Sequence, residues 1–169
     1  MQYLTFSLND SIYAVPVLQV REVLGYTTPQ ELPCADPVIA GLIRSRDQSI
    51  SVLNLRRKFD FPDTEISKET RIIVIEIDSI SEYSNSQGQI VFGAIVDSVN
   101  EVIDIDASMK EPSPEVGNSI ATDFISGIGQ LNNRFVIILD IAKVFTFDQI
   151  NAATLSEETD NEAVEENKE

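Results

Sequence analysis

The chain has 169 residues, 43% of them apolar, which suits one globular domain or two small intertwined halves and argues against wholesale disorder. Twenty-eight acids against twelve bases give a net charge of −16, so a general binder of nucleic acid or of anionic membrane is disfavoured by repulsion from phosphate. With no histidine and a single cysteine, Cys34, the chain alone cannot build Ser-His-Asp or Cys-His catalysis, a His-containing zinc site or an internal disulfide.

Most of the pattern reads as β. Leu4, Phe6 and Leu8 alternate with polar neighbours, as a half-buried strand requires, and Asn9-Asp10 supplies turn chemistry before Ile12 to Val15, predicting a hairpin. Ser49 to Val52 alternates again. Arg71 to Ile77 and Gln89 to Phe92 predict a second hairpin around the polar stretch Ser79 to Gly88. Arg134 to Leu139 is a further strand, entered through Asn132-Asn133, a pair that accepts the positive φ angles of a tight turn. Asp140 is placed to cap a short helix, Ile141 to Phe145. From Asn151 the composition changes: residues 151–169 carry seven acids and one base, and this stretch is expected to be a solvated, disordered acidic tail. It accounts for −6 of the net charge, leaving −10 on residues 1–150. The N-terminus lacks the features of a signal peptide, and the longest apolar runs, Ile72 to Ile75 and Phe135 to Leu139, are of strand length, so a soluble cytoplasmic protein with no direct membrane insertion is expected.

The chain also repeats itself. Tyr13 to Leu24 aligns without a gap on Phe92 to Ile103, with Val17, Val20, Glu22 and Val23 recurring as Val96, Val99, Glu101 and Val102. Val38 to Phe59 aligns likewise on Phe124 to Phe145, with Ile39, Gly41, Leu53 and Phe59 recurring as Ile125, Gly127, Leu139 and Phe145. Two ungapped blocks in one order indicate duplication. Each half then reads as hairpin, long connection, hairpin and short helix, the signature of a small closed barrel that leaves no free sheet edge. A barrel of roughly 65 residues has a thin core. Two halves packed together would bury more, and the groove between them is a natural binding site.

Within the acidic body, Arg44, Arg46, Arg56, Arg57 and Lys58 place five of the twelve bases in a short span, a docking patch for a carboxylate-bearing partner set against the plainer reading of a solvated face. Enzymatic readings find little support. Carboxylates are too numerous to single out an acid–base pair, Gly127-Ile128-Gly129 is too short for a nucleotide loop, and Cys34 has no histidine base. A small-barrel binder of nucleic acid would need basic stripes with exposed aromatics, against a body charge of −10 and no tryptophan.

The order Tyr13-Ala-Val-Pro-Val…Val20-Arg-Glu-Val-Leu, Gly41-x-Ile-x-x-Arg46, Leu53-x-Leu-Arg56-x-Lys-Phe, Val96-Asp-Ser-Val-x-Glu-Val, Phe124-Ile-x-Gly-Ile-Gly and Leu139-Asp-Ile-x-Lys-Val-Phe145 resembles the CheW family of bacterial and archaeal chemotaxis coupling proteins over about Gln2 to Phe147. The resemblance implies an all-β fold of two intertwined five-stranded SH3-like barrels with short connecting helices, the first mainly residues 8–66 and the second mainly 70–147 of a single 1–150 domain. It implies no enzymatic activity, no metal and no cofactor. The implied function is a cytoplasmic adaptor, associated with membrane-bound receptor arrays, that couples the cytoplasmic tip of chemoreceptors to the regulatory domain of the histidine kinase CheA. A divergent scaffold of the same type in pilus motility or development is the alternative. Carried over residue by residue, receptor contact falls to Val20, Glu22, Gly41, Arg46, Val96 and Val99, and kinase contact to Arg56 and Arg44. The hairpin tip departs from the family: Ile43-Arg44-Ser45-Arg46-Asp47 stands where Ile-Asn-Leu-Arg-Gly is usual, and Asn54 where Asp is usual.

Overall fold

The computed structural model describes residues 1–33, 36–78, 89–106 and 124–145. Cys34, the Ser79 to Gly88 connection and the acidic tail lie outside the described residues. The ten strands are β1 (Gln2–Leu8), β2 (Ser11–Pro16), β3 (Val20–Gly25), β4 (Ile39–Ser45), β5 (Gln48–Asn54), β6 (Arg71–Asp78), β7 (Gln89–Val96), β8 (Ser98–Asp104), β9 (Ile125–Leu131) and β10 (Arg134–Leu139). Two short helices, α1 (Leu55–Lys58) and α2 (Ile141–Val144), follow β5 and β10. Both blocks of the repeat are structural as well: β4, β5 and α1 reappear, residue for residue, as β9, β10 and α2.

The strands form two five-stranded sheets, ordered β8-β1-β2-β10-β9 and β3-β6-β7-β5-β4. The order shows how the two halves intertwine. The first half contributes β1 and β2 to the sheet that holds β8, β9 and β10, and the second half contributes β6 and β7 to the sheet that holds β3, β4 and β5. Each half therefore lends its N-terminal hairpin to the other, and no sheet corresponds to residues 8–66 or 70–147. The exchange is symmetric in register. Tyr13 pairs with Ile137 where β2 runs parallel to β10, and the repeat-equivalent residues Phe92 and Ser51 pair where β7 runs parallel to β5.

One core serves both sheets. Phe6, Leu8 and Val15 from the first pack with Ile73, Ile75 and Phe92 from the second, and with Leu55, Ile141 and Val144 of the helices. The unbroken apolar run of β6 follows from burial on both faces: Ile73 and Ile75 join this shared core, while Ile72 crowds Gly93, where an added Cβ would come within 2.9 Å of its Cγ2. Aromatic pairs hold the helix ends to the opposite sheet at repeat-equivalent places, Tyr13 on Phe59 at 5.8 Å and Phe92 on Phe145 at 5.6 Å between ring centroids. Asp140 flanks α2 as expected, but its side chain makes no capping hydrogen bond; it faces Lys143 at 3.7 Å instead.

Three hairpin turns use two consecutive left-handed residues, Asn9-Asp10, Arg46-Asp47 and Asn132-Asn133, the arrangement that matches strand twist in two-residue hairpins. Gly41 sits beside the bulge at Ala40 with φ 145°, and it is buried. Its lack of a side chain admits the backbone of Gln30, which exchanges hydrogen bonds with Leu42 at 2.9 and 2.8 Å. A Cβ here would run into the Gln30 carbonyl oxygen. Gly41→Ala is accordingly expected to destabilise the fold by about 2–3 kcal/mol in urea denaturation, through displacement of this segment.

Candidate docking surface

The chain crosses between the sheets at the 3-10 turn Val17–Gln19 and at Asp97. The repeat makes Leu18 and Asp97 equivalent, and Ala142 equivalent to Arg56. What happens at these four positions differs sharply between the two sides of the molecule.

At the Asp97 crossover the seam is strapped shut. Arg56 Nε and Nη2 donate to the two carboxylate oxygens of Asp97, each at 2.8 Å, and the Asn9 backbone N–H adds a third bond at 2.9 Å. Burial pushes the Asp97 carboxyl pKa up, but the Arg56 and Asn9 hydrogen bonds and the Arg56 charge outweigh it and hold the pKa below its ordinary value. Arg56 also donates to the Pro62 carbonyl, at 2.6 Å, and Arg57 grips Asp63 at 3.1 and 3.2 Å. The segment reaches these partners because α1 ends in a tight reversal: Asp60 N–H donates to the Arg57 carbonyl at 3.2 Å and Phe61 N–H to that of Arg56 at 2.8 Å, with Asp60 at φ 62°. Phe61 then packs edge-on against Phe59. Two clefts of ≈ 300 and ≈ 380 Å³ flank this strap, sharing Thr64, Thr70 and Asp97 in their walls. The ion-paired Arg56, Arg57, Asp63 and Asp97 line the first of them beside Tyr26, Pro29, Ile66 and Ile95, and no group of metal ligands occurs among the described residues.

Among the described residues, the repeat-equivalent crossover has no such strap. Leu18 and Ala142 cannot form an ion pair, and Phe145 leaves α2 in an extended conformation, φ −110° and ψ 149°, where Phe59 turns back. Leu18 is left 86% exposed, the most exposed of the large apolar side chains among the described residues. Beyond it, β3 carries Val20, half-buried against the shared core, and exposed Val23, whose repeat equivalent Val102 is exposed on β8.

Beside this apolar ground stands a charged hairpin tip. β3 and β4 are the two ends of their sheet, and side chains tie β3 to the β4–β5 hairpin: Ser45 Oγ donates to Glu22 Oε1 at 2.6 Å, Arg21 Nη1 to Gln48 Oε1 at 3.3 Å, and Arg46 Nε lies 3.9 Å from Glu22 Oε2. Arg44 is exposed and has no partner among the described residues.

Of the residues expected to contact a receptor, the structure brings Glu22 and Arg46 together and sets Val20 and Val99, both half-buried, at the starts of β3 and β8. Val96 is wholly inside the shared core and cannot line a groove; the last residue of β7 points inward just before the crossover. Gly41 is likewise internal and acts through backbone packing. Arg56, expected at a kinase contact, has its guanidinium committed to Asp97 and Pro62, with 14% of its side chain exposed. Leu18, Ser45 and Asp97 were missed. The alignment of Leu18 with Asp97 was the available signal, since an exposed leucine in the place of a clamped aspartate marks where the halves part company.

Ion pairs brace the Asp97 crossover, while exposed Leu18 and Val23 stand just before and on β3, the strand whose Glu22 faces the Arg46 tip, an arrangement suited to docking. The chain belongs to the CheW-like domain family, whose model matches residues 2–149. It is 31% identical over 150 residues to the chemotaxis protein CheW of Bacillus subtilis, covering 89% of this chain and 90% of that one. It is 28% identical over 149 residues to CheW of Klebsiella aerogenes, covering 88% and 84%. Among solved structures it is similar to the scaffolding protein TtCheW from Thermoanaerobacter tengcongensis, with TM-score 0.73, 30% identity and coverage of 88% and 89%.

The clamp has a pH signature. A carboxyl whose folded pKa is depressed contributes stability above its unfolded pKa and loses it as pH falls through the folded value. Asp97→Asn should therefore cost about 1–3 kcal/mol at neutral pH, and the gap from the wild type should close on acidification below the usual carboxylate range, as read by denaturation at a series of pH values.

Proposed function

We propose that this protein is a non-enzymatic adaptor that couples the cytoplasmic tip of chemoreceptors to the regulatory domain of the histidine kinase CheA. The observation that carries the reading is the inequality of the two seams: one is strapped by the chain's own Phe59 to Thr70 segment, the other offers Leu18 with Val20 and Val99 close to the crossovers. A helical receptor tip would lay its apolar face there, the helix-in-groove mode, with the arginine tip setting orientation. The kinase domain is assigned to Arg44 and its surroundings, leaving Arg56 to brace the seam against which both partners work. Family membership and the names of the relatives support the same assignment.

Replacing Leu18 by Asp should lower affinity for the receptor tip by about 10- to 100-fold, the weight of a buried leucine anchor, while the melting temperature stays put because the side chain is exposed. Undiminished co-sedimentation with receptor and kinase would remove this seam from the interface. Arg46 separates stability from binding in a second way. It holds a left-handed conformation that Asn takes more readily. Arg46→Asn should thus raise stability by about 1 kcal/mol and at the same time weaken assembly with receptor and kinase, and Arg46→Glu should weaken assembly further.

A further inference from the structure

Ser45 is nearly buried at the end of β4, an unusual place for a lone hydroxyl to be retained. The repeat shows what packing alone would put there: its equivalent is Leu131, which packs with Ile103 and Ile105 in the apolar cluster of the other sheet. Ser45 instead spends its proton on Glu22, at 2.6 Å, a short bond of the charge-assisted kind. The consequence is visible at Arg46. Asp63, whose carboxylate is held by no second side chain or backbone donor among the described residues, is taken bidentately by Arg57 at 3.1 and 3.2 Å. Glu22 stays 3.9 Å from Arg46, whose side chain remains 61% exposed.

We propose that Ser45 is a specificity-determining residue of the arginine tip: by holding the Glu22 carboxylate against β4, it keeps Arg46 unclosed and free for a carboxylate on the partner. Without the hydroxyl, Glu22 swings onto Arg46 and the protein satisfies its own cation. Ser45 is a positioning residue here and touches no partner itself. The partner chemistry selected is an acidic side chain presented next to an apolar helix face, which deepens the adaptor reading and rests on it for the identity of that partner.

Two readouts test the idea. In the full chain without any partner, Ser45→Ala should shift the Arg46 Nε–H resonance as the pair with Glu22 closes, and Ser45→Thr, which keeps the hydroxyl, should leave it near its original position. In the presence of receptor tip, Ser45→Ala should weaken binding about three- to tenfold at low salt, and the same substitution made in a Glu22→Gln background should cause no loss, since the competing carboxylate is gone. A merely structural serine would weaken binding equally in both backgrounds. An unmoved Arg46 signal in Ser45→Ala, or a loss of affinity that persists with Glu22→Gln, overturns the proposal. Should the wild-type protein fail to bind receptor tip at all, the adaptor reading falls, and the partner-free resonance alone still decides the role of Ser45.

Discussion

Everything in this molecule depends on a mutual loan of hairpins. Neither half of the chain completes a sheet from its own strands: β1 and β2 are sandwiched between β8 and β10, and β6 and β7 between β3 and β5. The apolar area that either half could bury alone is correspondingly small, and the shared core draws its side chains from both. The two sheets therefore cannot be separated without unpairing strands. A scaffold that must hold partners in register gains from this, because the seam between the sheets is fixed by backbone hydrogen bonds on both sides.

Duplication produces a nearly symmetric object, and function requires that the symmetry be broken. A few side chains do it. Arg56 and Asp97 clamp one crossover, where Ala142 and Leu18 leave the other bare. Asp60 accepts the left-handed conformation that folds the connection back over its seam, where Phe145, the equivalent of Phe59, ends α2 in an extended conformation. Ser45 and Arg46 make one hairpin tip polar and charged, where Leu131 and Asn132 make the other ordinary. Each difference is local, but together they make the two crossovers unequal among the described residues.

The hairpins, the repeat and the two helices could be read from the sequence because each rests on local signals: alternation, Asn and Asp at turns, and recurrence in two ungapped blocks. The exchange could not, since a duplicated pattern is silent on whether a copy pairs with itself or with its sister. Site residues suffered from the same blindness to distance. Arg56 looks like a solvated base until Asp97, 41 positions away, is seen to bind it. Val96 and Val99 look alike as valines flanking a crossover, yet one faces the shared core and the other its margin. Glu22 and Arg46 are singled out separately in the sequence; that they stand together, with Ser45 bonded to Glu22, is a fact of the folded sheet.

The claim that partners enter the open seam is tested most directly by photo-crosslinking from both sides of the molecule. With a photoreactive residue in place of Leu18, the protein should crosslink to receptor tip in reconstituted complexes with CheA. With the same residue in place of Ile66, on the strapped side, it should not. Crosslinks to receptor from Ile66 and none from Leu18 would contradict the account.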